Sequence, residues 1–267
     1  MKGSLSDILE VFRANSRSVL DLLTFDKVLL SIPIQELKNV QTKLKTAKID
    51  NPNLGIDKAL TQLENIENRG SLKKFYRDLY NHGLVLLVSY FSSAIGDFFR
   101  RALIMQLEDG RNQTLNKTEI KIPLGALRSQ EELWDDLGDF VIKQDAISFQ
   151  DMQSISRACE EYLGFCPVKD AAVNDIIVGQ ACRHCLVHSG GKIDKKLMGQ
   201  IKNCLPRSVL IDLNLGQSVE VTIEILESLI RSMDKYISTL NDLLLEKLSE
   251  TETSPKPKEN DVHLRLS

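Results

Sequence analysis

Arg183, His184 and His188 lie within six consecutive residues, and their side chains are suited to acid–base chemistry on a phosphodiester. An arginine guanidinium can bind two phosphate oxygens at once, and a histidine imidazole can give and take protons near neutral pH. Residues five apart on an ideal helix differ by about 140° in direction and roughly 7.5 Å along the axis. Arg183 and His188 would therefore not be direct neighbours, but both could reach a phosphate bound between them. The alternative is an ordinary helix-end pair that makes caps and a surface ion pair.

The sequence that follows these residues is locally basic, although the whole chain carries a net charge of −3. Between Arg183 and Arg207 there are six cations and a single acid, Asp194. The lysines of this stretch are Lys192, Lys195, Lys196 and Lys202. Clustered cations attract a polyanion in a salt-dependent way, so the stretch predicts a polyanion-binding surface. A solvated loop and helix face is the alternative.

Two cysteines in the same segment raise a second chemical hypothesis, a zinc site. Cys182 and Cys185 form a Cys-x-x-Cys pair close to His184 and His188. A structural zinc site needs four convergent ligands, and the other three cysteines form no second pair at such spacing. The sequence therefore favours Cys182 and Cys185 as small core residues on one helical face, and it predicts neither a metal nor a cofactor.

Three predicted helices would position the candidate residues. A helix from about Ala171 to His188 carries them, and Ser189-Gly190-Gly191 supplies the left-handed cap that ends it. A long helix from Ser71 to about Leu107 is apolar on more than one face, which is typical of the centre of a bundle. The last helix, from about Val221 to Leu248, has apolar residues in core spacing. Together they predict an all-α, up-and-down helical bundle.

The N-terminal segment and the tail are expected to be separate from this bundle. Residues 5 to 68 are predicted to form three or four modest helices, with breaks at Pro33 and Asn51-Pro52. Weak alternation from Val209 to Val221 indicates a small β-hairpin. The predicted division of the chain is an N-terminal helical extension at residues 1–70, a helical bundle at residues 71–248 and a disordered tail at residues 249–267.

Composition limits the classes of function. The acidic balance argues against a protein that coats nucleic acid through overall positive charge. The first residues hold no apolar signal-peptide core, and five cysteines are an odd number that suits reduced thiols better than disulfides. The most apolar stretch, from Gly83 to Gly96, is shorter than the roughly 20 residues of a membrane span. We therefore expect a soluble cytoplasmic protein.

The segment Arg183-His184-x-x-x-His188-Ser189-Gly190-Gly191 resembles the Arg-polar-x(3–5)-His signature of HEPN domains, and it is most similar to the RiboL-PSP-HEPN group. The order of elements around it is also similar. That group has a long buried helix like Leu84 to Leu107, a segment like Ile147 to Gly164, the motif helix and a final amphipathic helix. The resemblance covers about residues 71 to 248 and leaves the first 70 residues unassigned.

The resemblance implies an activity and a role for each motif residue. Active HEPN domains are metal-independent endoribonucleases that pair through the motif helix, so that two Arg/His pairs share one cleft. By this likeness His188 is the acid and base that acts on the ribose 2′-hydroxyl or the leaving oxygen. Arg183 holds the scissile phosphate, and His184 is the polar residue that orients the cleft. The expected product is a 2′,3′-cyclic phosphate.

The resemblance also implies partners. Single-stranded RNA is the expected substrate, Lys192, Lys195 and Lys196 are expected to bind it, and a second copy of the chain completes a homodimer. Family habit suggests a toxin or antiviral defence effector, with an antitoxin or regulatory protein as a partner and no membrane. The competing hypothesis is a non-catalytic module that uses the same cleft for a nucleotide or a protein partner. A helical scaffold without a site is a weaker third hypothesis.

Overall fold

The computed structural model describes residues 4–47, 55–67, 73–110, 112, 115–122 and 130–252, and within these segments the protein is all-α. The predicted all-α fold class is confirmed. The helices are α1 (Leu5–Thr46), α2 (Ile56–Glu67), α3 (Lys73–Asp109), α4 (Gln130–Gln144), α5 (Met152–Ala158), α6 (Ala171–His188), α7 (Lys195–Ile201) and α8 (Ile223–Glu252). A 3-10 turn at Leu115–Lys117 precedes α4, and a π-helical turn at Cys159–Leu163 continues α5.

Helix α3 is the centre of the bundle and packs against α1, α4, α6 and α8. Its apolar side chains cover several faces, and Leu84, Phe91 and Phe99 are fully buried. Among the described residues, its Tyr76–Asp109 portion is long and apolar enough to cross a membrane, yet 56% of its most apolar window is buried inside the protein. Burial of this kind is typical of the central helix of a bundle.

Helix α1 corrects the prediction for the N-terminal segment, because it is one helix of 42 residues instead of several short ones. Pro33 lies inside α1 and does not break it. A proline removes one backbone hydrogen bond and normally kinks or ends a helix. Leu23 before it and Ile34 after it are both buried, so tertiary packing on both sides offsets the missing bond. The other predicted break, Asn51-Pro52, lies outside the described residues.

Helix α1 also shares its hydrophobic core with the later helices. The ring of Phe12 meets that of Phe91 on α3 edge to face, with centroids 6.4 Å apart. Two guanidinium nitrogens of Arg13 donate to the carboxylate of Asp234 on α8. The predicted boundary near residue 70 therefore separates segments of sequence that contribute to one core.

The predicted β-hairpin between Val209 and Val221 does not form, and the described residues contain no strand. Lys192 and Ser218 instead make an isolated antiparallel bridge. The Ile193 amide donates to the Gln217 carbonyl over 2.9 Å, and the Gly216 amide donates to the Ile193 carbonyl over 2.9 Å. The turn thus pairs with the residues that follow α6 and not with its own flanks.

The C-terminal helix α8 extends to Glu252, four residues beyond the predicted end at Leu248. The first residues of the predicted tail are therefore helical. Residues 253–267, the rest of that tail, lie outside the described residues.

Candidate functional site

Helix α6 has the predicted bounds, and local chemistry explains both ends. At the start, the Asp170 carboxylate accepts a hydrogen bond from the Val173 amide over 3.0 Å, as an N-cap. At the end, the amides of Ser189 and Gly191 both donate to the Cys185 carbonyl. Gly190 and Gly191 have φ angles of 59° and 75°, a conformation that glycine adopts at little cost. The chain therefore turns sharply just after His188.

The burial of α6 decides which of its residues can meet a ligand. Most of the helix from Val173 to Cys182 is buried, and Cys185 is buried as well. Arg183 and His184 are half-buried, whereas His188 is exposed. The accessible chemistry of α6 is therefore confined to its last two turns.

Cys182 and Cys185 face the core. The Cys185 thiol donates a hydrogen bond to the Lys192 carbonyl over 3.0 Å. Burial raises the pKa of Cys182 to about 12 and also raises that of Cys185, so both remain protonated thiols near neutral pH. Among the described residues, no group of three or more His, Cys, Asp or Glu side chains could hold a metal ion.

A groove of about 750 Å³ lies along the exposed side of α6. Residues of α3, of the segment that leads into α5, of α6 and of the end of α7 form its walls. The volume is in the range of pockets that hold small organic ligands. Its polar lining includes Ser92, Gln153, Lys169, Gln180, Arg183 and His184.

The structure brings two of the three motif residues into this groove and leaves the third beside it. Arg183 and His184 line the groove, and His188 does not. The imidazole rings of His184 and His188 are nevertheless in contact, with centroids 4.5 Å apart and planes tilted by 46°. Within the described residues, the Arg183 guanidinium makes no hydrogen bond or ion pair. Arg183 is thus available to an anionic ligand.

Lys196 of α7 determines which ring nitrogen of His184 carries the proton, and it contributes to the lowered pKa of that histidine. Its ammonium nitrogen lies 3.0 Å from His184 Nε2, and an ammonium group can only donate. His184 Nε2 therefore accepts this bond, which places the ring proton on Nδ1. Desolvation is the largest cause that lowers the pKa of His184, followed by the charges of Lys196, His188 and Arg183. His184 is consequently a neutral imidazole at physiological pH.

Asp194 holds Lys196 in place by fixing the start of α7. Its carboxylate accepts from the Leu197 amide over 2.8 Å as an N-cap, and from the Ser189 hydroxyl over 3.3 Å. The hydrogen bond from the Leu197 amide is the main cause that lowers the pKa of Asp194. The cap connects α7 to the turn that ends α6, so the backbone that carries Lys196 is fixed close to the backbone that carries His184.

The predicted lysines have different positions. Lys196 contacts His184, but Lys192 and Lys195 are exposed and do not line the groove. Lys169, which no sequence pattern indicates, does line it and donates to the Asn203 carbonyl over 3.2 Å. No sequence pattern indicates Gln180 either, and its amide oxygen accepts from the Met152 amide over 2.9 Å. Lys169 lies in the loop before α6, too far along the chain for any local spacing to link it to Arg183.

No protein-family model, curated protein or solved structure matches this chain. What the site can do therefore depends on the side chains in the groove and beside it. Arg183, which has no partner among the described residues, and the neutral imidazole of His184 line the groove, while His188 and Lys196 contact His184 from outside that lining. Such a set can bind a phosphodiester and exchange protons with it.

Proposed function

We propose that the protein is a metal-independent endoribonuclease of the HEPN type that cleaves single-stranded RNA. The observation that carries the proposal is the position of Arg183 and His184 in a polar groove, with His188 in ring contact with His184. RNA is favoured over DNA because the ribose 2′-hydroxyl supplies an internal nucleophile. Cleavage then requires only two groups that transfer protons, the histidines, and one group that binds the phosphate, the arginine.

The proposed reaction assigns one role to each side chain. Lys196 leaves His184 Nε2 to pair with the incoming phosphate, and the freed nitrogen takes the proton of the 2′-hydroxyl. The 2′-oxygen then bonds to phosphorus while the bond from phosphorus to the 5′-oxygen breaks. The His188 imidazolium gives its proton to that 5′-oxygen. Arg183 stabilises the additional negative charge in the transition state, and the products are a 2′,3′-cyclic phosphate and a 5′-hydroxyl.

This assignment differs from the sequence-based expectation, in which His188 was the acid and base and His184 only oriented the cleft. The reason is geometric, because His184 lines the groove and His188 does not. A second copy of the chain would face the site at the last turn of α6, where Val187 is exposed. We place this homodimer in the cytoplasm, as a toxin or defence effector that an antitoxin or regulatory protein restrains.

A cleavage assay tests the proposal. Purified protein is incubated with single-stranded RNA in excess EDTA, and the fragment ends are identified by mass spectrometry. The parent should release 2′,3′-cyclic phosphate ends. Arg183→Ala, His184→Ala and His188→Ala should each lose about 100-fold or more in rate. His82→Ala removes an exposed histidine of α3 outside the groove and should cut as the parent does. A folded parent that leaves the RNA intact would refute the nuclease.

One observation favours a second function, a module that binds a nucleotide without cutting it. The groove has room for a nucleotide and presents Lys169 and Arg183, yet the only exposed histidine of the motif lies outside its lining. Fluorescence anisotropy with labelled RNA separates the two functions. Binding that is lost in Arg183→Ala and unchanged in His188→Ala, without any cleavage, supports the binding module.

A further inference from the structure

The middle of α1 carries a stripe of apolar side chains that the described part of the protein leaves uncovered. We define this stripe as the α1 seam. Its members are Leu22 (59% exposed), Phe25 (59%), Val28 (61%), Leu29 (52%) and Ile32 (61%). On an ideal helix these five positions fall within a stripe of about 120°. The seam therefore forms one continuous apolar strip over three helical turns.

The seam lies on the side of α1 that faces away from the core. Phe12, Val19, Leu23 and Ile34 are buried, and helical geometry places them roughly opposite to the seam. The inner face thus holds α1 on α3 and α8, and the outer face is presented to solvent in a fixed position. The fold does not require the seam for its own packing, because the inner face already holds α1 in place.

The spacing of the seam matches that of a helix which pairs with another helix. Leu22, Phe25, Leu29 and Ile32 alternate at three and four residues, as the a and d positions of two successive heptads do. Asn15 and Ser18 precede them in the same register, and Glu36 follows them. The apolar part is therefore bounded by polar positions at both ends. Two identical seams are complementary because a and d residues pack against a and d residues.

The area is also what a stable dimer requires. Five side chains of this size, each more than half exposed, form a patch on the order of 500 Å², near the upper limit for a typical monomer. One side of a standard interface covers about 800 Å², and in homodimers roughly 65% of the interface is apolar. The apolar part of one side of such an interface is thus about 500 Å², which equals the estimated area of the seam. The seam can supply the apolar centre of such an interface without help from another surface.

We infer that the α1 seam is a self-association surface, on which a second copy of this chain packs its own seam across a two-fold axis. A two-fold contact buries both copies of the patch and closes on itself. The inference does not depend on the proposed nuclease, because the seam shares no residue with the groove or with the exposed end of α6.

Analytical ultracentrifugation of the full chain between roughly 1 and 100 μM tests the inference. The parent should associate reversibly. Phe25→Glu and Leu29→Glu place two like charges against each other in the apolar seam, and each should weaken association by about 100-fold or more. Leu245→Glu is the matched control, since Leu245 is 48% exposed on α8 and should leave association unchanged. Circular dichroism verifies that every variant is folded.

The outcomes separate the seam from the α6 contact of the proposed nuclease. Val187→Glu at the end of α6 should leave seam-dependent association unchanged. A parent that forms tetramers and drops to dimers with Leu29→Glu also supports the seam. A parent that stays monomeric throughout, or an assembly whose size and affinity are the same in the parent and in both seam variants, would overturn the inference.

Discussion

The contact between Lys196 and His184 makes a titration prediction at the scale of single residues. Lys196→Met removes an ammonium group 3.0 Å from His184 Nε2 and the second-largest cause of the lowered pKa of that histidine. The pKa of His184 should therefore rise toward its ordinary value. Two-dimensional NMR of the imidazole nitrogens as a function of pH measures the change, with His184→Gln to assign the signal.

The control for this titration is the neighbouring lysine. Lys195→Met removes an equal charge from the same turn of α7, but Lys195 is exposed and makes no contact with His184. The pKa of His184 should then move much less. If both variants move it equally, the direct hydrogen bond is not the cause.

The same substitution should change the pH dependence of the proposed nuclease. If the pKa of His184 is higher, this base becomes protonated at a higher pH, so the acidic limb of the rate profile should shift to higher pH in Lys196→Met.

Asp175 allows a stability prediction at the same scale. This buried carboxylate accepts from the amides of Ser208 and Val209 and from the hydroxyls of Ser208 and Ser232. Asp175→Ala leaves these donors without an acceptor and should lower the free energy of unfolding by about 3 kcal/mol or more. Urea denaturation measures the loss. Asp242→Ala, at an exposed position of α8, should stay within about 0.5 kcal/mol of the parent.

The sequence could reveal some of these residues because their signal is local. Arg183, His184 and His188 stand out by type and spacing, and the two glycines after them mark a helix end. Asp175 and Lys169 carry no such signal. Asp175 acts through a loop more than thirty residues later, and Lys169 enters the groove from another segment. Such contacts depend on tertiary packing, which the spacing of residues along the chain does not encode.

At the scale of elements, a helix could be predicted where local caps determine its ends, and not where tertiary packing overrides the local signals. α6 begins at the predicted residue because Asp170 caps its first turn, and it ends at the predicted residue because Ser189-Gly190-Gly191 forces a stop. α1 was predicted wrongly because Pro33 is a local stop signal, and the burial of Leu23 before it and of Ile34 after it overrides that signal. The hairpin failed for the same kind of reason, since Lys192 and Ile193 supply hydrogen-bond partners from a distant part of the sequence.

Two glycines within helices test how closely the elements pack. A Cβ atom on Gly138 of α4 would lie 3.1 Å from the Cα atom of Arg100 on α3. Because that neighbour is backbone, the two helices must separate, and Gly138→Ala should destabilise the protein by about 1–3 kcal/mol. Gly199 of α7 has no atom within 4 Å of such a Cβ. Gly199→Ala should therefore stabilise the protein by up to about 1 kcal/mol.

Thermal and urea denaturation of both variants provide the measurement. If Gly138→Ala lowers the free energy of unfolding and Gly199→Ala raises it, the close approach of α3 and α4, and not helix propensity, determines the effect at Gly138. Equal stabilisation of both variants would contradict a close contact between α3 and α4. The result bears on the groove only indirectly, since α3 forms one of its walls.

At the scale of the whole molecule, the candidate site depends on segments that are distant in sequence. α3, the segment before α5, α6 and α7 each contribute one wall of the groove. The central helix α3 also packs on α1 and α8, so the geometry of the site depends on the whole bundle. The all-α class and the bounds of α6 could be inferred from the sequence. The assembly of four walls into one groove could not, because it depends on which helix faces pack into the core.

The shared core makes a last prediction about cooperativity. Phe12 of α1 is buried against Phe91 of α3, so Phe12→Ala should lower the free energy of unfolding by about 3–5 kcal/mol. If α1 and the later helices form one unit, far-ultraviolet circular dichroism and the near-ultraviolet signal of the five tyrosines, all of which lie outside α1, should report one coincident transition that shifts as a whole. Val11→Ala, next to Phe12 but 59% exposed, should change stability by no more than about 0.5 kcal/mol. An early transition seen only in the far ultraviolet, with the tyrosine signal unshifted, would instead mean that the N-terminal segment unfolds independently of the bundle.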